Sequence, residues 1–151
     1  MNQSLKRFDR QISRQVSLDY WIYLPPEYGR DDRRWPVLLF LHGAGERGDL
    51  EKAKKHGPAK RITAGDDFPF IVVTPSCPAE QWWDPEAIEH LRAEICATHA
   101  VDERRVSGTG LSMGGFGIWA MALTYPHRFA AIAPICGGGS PYVVGRIAHR
   151  P

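Results

Sequence analysis

The sequence predicts an α/β fold built on a mostly parallel sheet, and three observations carry that expectation. Short strand-like runs alternate with helix-length segments from Val16 to Ile135. Two of the runs, Pro36-Val-Leu-Leu-Phe-Leu41 and Phe70-Ile-Val-Val-Thr74, are almost continuously apolar, as strands covered on both faces are. Strand, helix, strand, helix, strand in succession is the pattern of parallel strands joined by right-handed crossovers.

Size and charge narrow the reading. A chain of 151 residues makes one domain, 1–151, and burying about 70% of its unfolded surface requires a closed core. With 43% hydrophobic and 24% charged residues it has the balance of a soluble globular protein. A net charge of +2 gives no reason to expect nucleic acid as a partner. No apolar run approaches the ~18 residues of a membrane span. The start, Met1 to Arg10, shows no apolar leader. Cys77, Cys96 and Cys136 have neither metal-ligand spacing nor an obvious pairing, and each reads as a small buried hydrophobe. A cytoplasmic location is the expectation, with no metal and no cofactor.

The elements follow in order. Val16 to Leu24 alternates, with Leu18, Tyr20, Ile22 and Leu24 on one face, until Pro25-Pro26 stops it. Glu27 to Trp35 is a charged turn, and Pro36–Leu41 is a central strand ending in His42-Gly-Ala-Gly-Glu-Arg-Gly48. Lys52 to His56 with Lys60-Arg61 is the one basic cluster; without interleaved aromatics and beside Asp49 and Glu51, it reads as a solvated face. Phe70–Thr74 is the third strand, stopped by Pro75, and Trp82-Trp83 follow in a loop. Asp84-Pro85-Glu86 is a helix start: a capping side chain, a proline at the first helical position, and an acid that complements the dipole. Ile88, Leu91 and Ile95 then make an apolar stripe, with Glu89, Arg92 and Glu94 away from it. Asp102 to Arg105 turns into a strand. Phe116, Trp119, Ala120 and Leu123 lie on an almost wholly apolar helix ended by Pro126, as a helix between two sheet layers would be. Ala130–Ile135 is the last strand, followed by Gly137-Gly-Gly139.

Chemistry concentrates at Gly110-Leu-Ser112-Met-Gly114, between a strand and a helix. This is the Gly-x-Ser-x-Gly elbow, whose strained turn exposes a serine hydroxyl above a sheet. Glycines two before and two after the serine remove the Cβ atoms that would collide as strand and helix close together. The N–H of Met113, at the positive end of the outgoing helix, would face an oxyanion forming on an acyl carbon. Dinucleotide and phosphate-loop readings fail, since Met113 stands where a third glycine is needed and Phe116 where a lysine is.

His42-Gly-Ala-Gly-Glu-Arg-Gly48, Trp82-Trp-Asp-Pro-Glu-Ala87, Gly110-Leu-Ser-Met-Gly-Gly-Phe-Gly117 and Tyr125-Pro126 through Gly139 occur in that order. Together they closely resemble the carboxylesterase/phospholipase-like branch of the α/β-hydrolases, near the polyhydroxybutyrate-depolymerase-type esterases. The resemblance runs from about Tyr20 to Pro151. It implies a three-layer sandwich, Ser112 as nucleophile, and a second oxyanion donor at the N–H of Ala44, with Gly43 shaping the turn. It further implies that His42 holds the loop, and that Trp82 and Trp83 wall an acyl or alcohol site or simply pack beneath it.

The chain departs from that pattern most after the serine. The triad order of the fold is Ser, then Asp or Glu, then His. No Asp or Glu follows Ser112, and the later histidines are His127 and His149. The resemblance puts His149 ahead of the strand beyond which the family's acid and base reside, so the chain reads as the N-terminal part of such a protein. Two functions are therefore expected in competition: hydrolysis of small-molecule carboxylic esters through an acyl-enzyme on Ser112, or an inactive hydrolase fragment that only binds or associates. Asp84 or Glu46 with His42 or His56 is the available substitute for a missing dyad. A strand at Ala130–Ile135 left without a further neighbour would offer an edge for self-association.

Overall fold

In the computed structural model, which describes residues 3–148, five strands form one sheet. They are β1 (Tyr20–Tyr23), β2 (Trp35–Leu41), β3 (Ile71–Pro75), β4 (Val101–Leu111) and β5 (Ala131–Ile135), in the order β1-β3-β2-β4-β5. β1 is antiparallel to β3 and every other pair is parallel. The helices are α1 (Gly57–Thr63), α2 (Pro85–Thr98) and α3 (Met113–Thr124), with short 3-10 turns at Ala44–Glu46, Lys52–Lys55 and Val144–Ile147.

The strand order decides where the helices go. From β2 the chain steps one way to β3, then returns past β2 to β4 and on to β5. Right-handed crossovers in opposite directions lie on opposite faces of a sheet. Accordingly, Phe40 of β2 packs on Gly57 at the start of α1, where an added Cβ would lie 2.5 Å from its ring. Leu39 and Leu41, on the other face, join the core with Leu91 and Ile95 of α2 and Ile118 and Met121 of α3. Pro36 and Leu38 are only half-buried, because the α1 layer is short; β2 is fully covered on one face rather than both.

Other expectations need correction. The first strand is four residues, not nine, since only Tyr20 to Tyr23 find partners on β3; Leu18, Tyr20 and Ile22 do pack on the core together. Asp102 to Arg105 belong to β4, but the pairing jumps from Trp35–Val101 to Val37–Val106, so these residues bulge out of register. Asp102 holds the bulge by accepting from the Arg104 N–H and the Arg105 side chain. The apolar helix α3 lies not between two sheets but between one sheet, α2 and the Val144–Ile147 turn.

Helix α2 starts as its sequence dictates, with Pro85 in its first turn and the Asp84 carboxylate accepting from the Glu86 N–H at 2.9 Å. Arg92, however, is buried instead of turned away. Both of its terminal and ε nitrogens meet Glu89, at 2.7 and 2.9 Å, and Arg128 from the turn after α3 reaches the same carboxylate at 2.7 Å. A buried guanidinium is tolerable when its donors are matched in this way. All three cysteines are free; Cys77 is buried as expected, but Cys136 is exposed.

Candidate active site

β2 and β4 lie side by side at the point where the chain reverses its direction of travel across the sheet. In open α/β sheets the crevice outside the carboxyl ends of strands at such a point is where ligands bind. Two loops meet there: the one leaving β2 at His42 and the one leaving β4 at Ser112.

Ser112 is exposed and has φ 54° and ψ −115°, a conformation that L-residues rarely adopt. Three contacts hold it there. Its N–H donates to the Ile135 carbonyl at 2.8 Å, and its own carbonyl accepts from the Phe116 N–H at 3.1 Å. The glycines supply the third, because strand and helix close to backbone contact. A Cβ on Gly110 would fall 2.3 Å from the Gly114 carbonyl oxygen, and one on Gly114 would fall 1.8 Å from that of Leu41. Met113 and the next two residues open α3, where first-turn N–H groups have no partner within the helix.

The β2 loop is pressed against the serine. A Cβ on Gly43 would sit 3.8 Å from Ser112 Cβ and 3.1 Å from Glu46 Oε2, so both side chains flank the Gly43 α-carbon. Ala44 is exposed and begins the 3-10 turn. His42 is fully buried, and both ring nitrogens are occupied. Nε2 accepts from the Cys77 N–H at 3.0 Å, which leaves Nδ1 as the donor to the Gly43 carbonyl at 2.7 Å. Burial pushes its pKa down, the Gly43 carbonyl opposing. A neutral imidazole with both nitrogens engaged cannot take a proton from Ser112 and serves to hold the loop.

Trp83 belongs to the same support. It is buried, its indole donates to the His42 carbonyl at 3.0 Å, and its ring packs edge-on to His42 and against Gly117. Trp82 is 65% exposed and meets the 46% exposed Phe116 edge to face at 6.4 Å. With Trp83, Trp119 and the backbone of Gly138 and Gly139 they line an apolar groove of about 350 Å³. Sequence alone puts Phe116 among core residues. The signal that separates it is position: at Ser112 plus four it shares the serine's side of the first helical turn.

The substitute dyads fare unequally. Asp84 caps α2 and is paired with Arg14, which holds its carboxyl below the usual range. Glu46 lies 3.4 Å from His56 Nε2 and 3.9 Å from His42 Nδ1. His127 sits in the turn beyond the far end of α3, whose twelve residues separate it from Ser112 by about 18 Å of helix. His149 lies outside the described residues. Among the described residues no cluster of His, Cys, Asp and Glu suits a metal ion, and no helix is long and apolar enough to cross a membrane.

No protein-family model matches the chain. It is 32% identical over 124 residues to poly(3-hydroxyalkanoate) depolymerase C of Paucimonas lemoignei, covering 71% of this chain and 28% of the depolymerase. A thermostable esterase of known structure superposes with a TM-score of 0.74 at 30% identity, covering 89% of this chain and 40% of the esterase. An acetyl xylan esterase from Aspergillus awamori shares the fold at a TM-score of 0.61 and 22% identity, over 78% of this chain and 46% of the esterase. The chain spans less than half the length of each of these relatives.

Proposed function

We infer that this chain, an α/β-hydrolase similar to esterases of that fold, presents Ser112 as the nucleophile of a carboxylic-ester hydrolase. The observation that carries the reading is Ser112 itself: exposed, at φ 54°, on a strand-to-helix turn too tight for any residue but glycine on either side. Its hydroxyl attacks the acyl carbon, forming the Oγ–C bond while the carbonyl π pair moves onto oxygen. The N–H groups of Ala44 and Met113 receive that oxyanion. Collapse expels the alcohol, and water then releases the acid from Ser112. Losing one oxyanion donor typically costs about 10²–10³ in turnover. The groove of Trp82, Phe116 and Trp119 suits the apolar portion of an ester.

A general base is the part of the machinery these residues do not supply. No acid follows Ser112, His42 has no free nitrogen, and His127 is remote. An unassisted hydroxyl is a weak nucleophile, so this chain is expected to acylate slowly. A fluorophosphonate ester probe should label Ser112 before Ser107 or Ser140, and Ser112→Ala should abolish the label. Peptide mapping that puts the label elsewhere would defeat the assignment.

A second reading, association rather than catalysis, is favoured by β5. Among the described residues it pairs only with β4, and its far side presents unsatisfied backbone groups. Ala133 and Ile135 are exposed, Ile135 by 50%, and the strand carries no charge to repel a neighbour. The chain is therefore expected to self-associate at micromolar concentration through β5. Light scattering that finds a monomer, with slow amide exchange at residues 131–135, would contradict this.

A further inference from the structure

Glu46 has no task in the scheme above, and its surroundings are unusual for a carboxylate. The side chain is only 12% exposed, and its ion-pair partners among the described residues are two histidines rather than a lysine or arginine. Withdrawing a carboxylate from water is unfavourable unless something compensates. His42 compensates little, since its Nδ1 proton goes to the Gly43 carbonyl at 2.7 Å while Glu46 stands 3.9 Å away. The closer partner is His56, whose Nε2 lies 3.4 Å from Oε1.

His56 stands on firm ground. It immediately precedes α1, where Gly57 seats against the Phe40 ring of the central strand. The other oxygen, Oε2, abuts Gly43 on the side that also faces Ser112 Cβ. The carboxylate thus connects the α1 start to the loop that carries Ala44. That loop has little else to fix it: the hydrogen bonds Glu46 N–H to Gly43 carbonyl and Arg47 N–H to Ala44 carbonyl are both 3.5 Å. Only the Arg47 side chain, reaching the carbonyls of Ala44 at 3.0 Å and Gln81 at 3.2 Å, adds a second brace.

We propose that Glu46 is a positioning residue that, through His56, holds the Gly43-Ala44 segment against Ser112. The proposal rests on the reading of Ala44 as an oxyanion donor for its consequence in reactivity, but not for its consequence in loop order. Donors act by being fixed before charge develops, so a loosened loop lowers the rate without removing any reacting group.

The test compares Glu46→Ala, Glu46→Gln, His56→Ala and the Glu46→Ala/His56→Ala pair with the unaltered chain. Amide exchange across residues 43–47 is expected to accelerate at least about tenfold in Glu46→Ala and His56→Ala, and no further in the pair, because the two act as one unit. Fluorophosphonate labelling of Ser112 should slow about tenfold in its limiting rate with little change in half-saturating probe concentration. Glu46→Gln, which keeps the shape and one acceptor, should recover part of both losses. Exchange unchanged in Glu46→Ala, or effects that multiply in the double variant, would overturn the proposal. Failure of the unaltered chain to label at Ser112 would count against the esterase reading alone, and the exchange measurement would still decide the role of Glu46.

Discussion

Replacing Gly114 with alanine is expected to abolish both the fold of the elbow and any reactivity at Ser112. The added Cβ would lie 1.8 Å from the Leu41 carbonyl oxygen, 2.5 Å from its carbon and 2.8 Å from the His42 oxygen. Overpacking a core usually costs about 1–3 kcal/mol because side chains yield. Here the obstacle is the backbone of β2, which pairs with β3 on one side and β4 on the other. Leu41 is itself opposite Gly110 in that ladder, and Gly110 has the Gly114 carbonyl 2.3 Å from its own Cβ position. Relief therefore requires α3 to lift off the sheet, and with it the helix's buried Met113, Ile118 and Met121. A loss above about 3 kcal/mol is expected, a large part of the ~5–15 kcal/mol that holds a domain together. Gly145→Ala is the control: it has open space around it and should change stability by less than about 0.5 kcal/mol. Urea denaturation of both variants checks this, and a Gly114→Ala chain as stable as the control would show that the helix is not seated where its glycines imply.

That collision also explains why the elbow is legible in a sequence. Gly-x-Ser-x-Gly reports a local steric requirement, and β2, β3 and the capped start of α2 report local patterns of the same kind. What escapes is set by partners far along the chain. Val16 to Asp19 alternates as well as Tyr20 to Tyr23 does, but beyond one bond from the Ser76 N–H to the Asp19 carbonyl it has no strand to pair with. Arg92 looks like a surface residue until Arg128, from the turn after α3, closes over Glu89. The uniform apolarity of α3 suggests a second sheet, whereas α2 and Ile147 of the last turn provide the cover. The site divides in the same way. Ser112 and the glycines are readable locally, while the exposed Phe116, facing Trp82, and the Glu46–His56 contact depend on how separate loops meet.

His42 should give the protein a stability that declines on the acid side. The ring is fully buried, and burial is the largest influence on its titration, disfavouring the imidazolium; Arg47 adds to this, while the Gly43 carbonyl and Glu46 oppose it. Its folded pKa is therefore below the ordinary value of 6.5 that governs the unfolded chain. Between those two values the unfolded state binds more protons, so stability falls as pH falls. The contribution is fully present above pH 6.5 and is lost progressively as pH drops below it. In His42→Ala the Cys77 N–H and the Gly43 carbonyl lose their partner and Trp83 loses its edge-on neighbour. Unpaired buried groups and a cavity together predict a cost of about 3–5 kcal/mol at pH 8. Because the variant lacks the titrating ring, the gap between the two proteins should narrow from pH 6.5 downward. Denaturation midpoints measured from pH 8 to pH 5 test both parts of the expectation. A gap that stays constant across that range would mean that His42 is protonated as readily in the folded chain as in the unfolded one, and that its two hydrogen bonds do not fix it as the neutral tautomer.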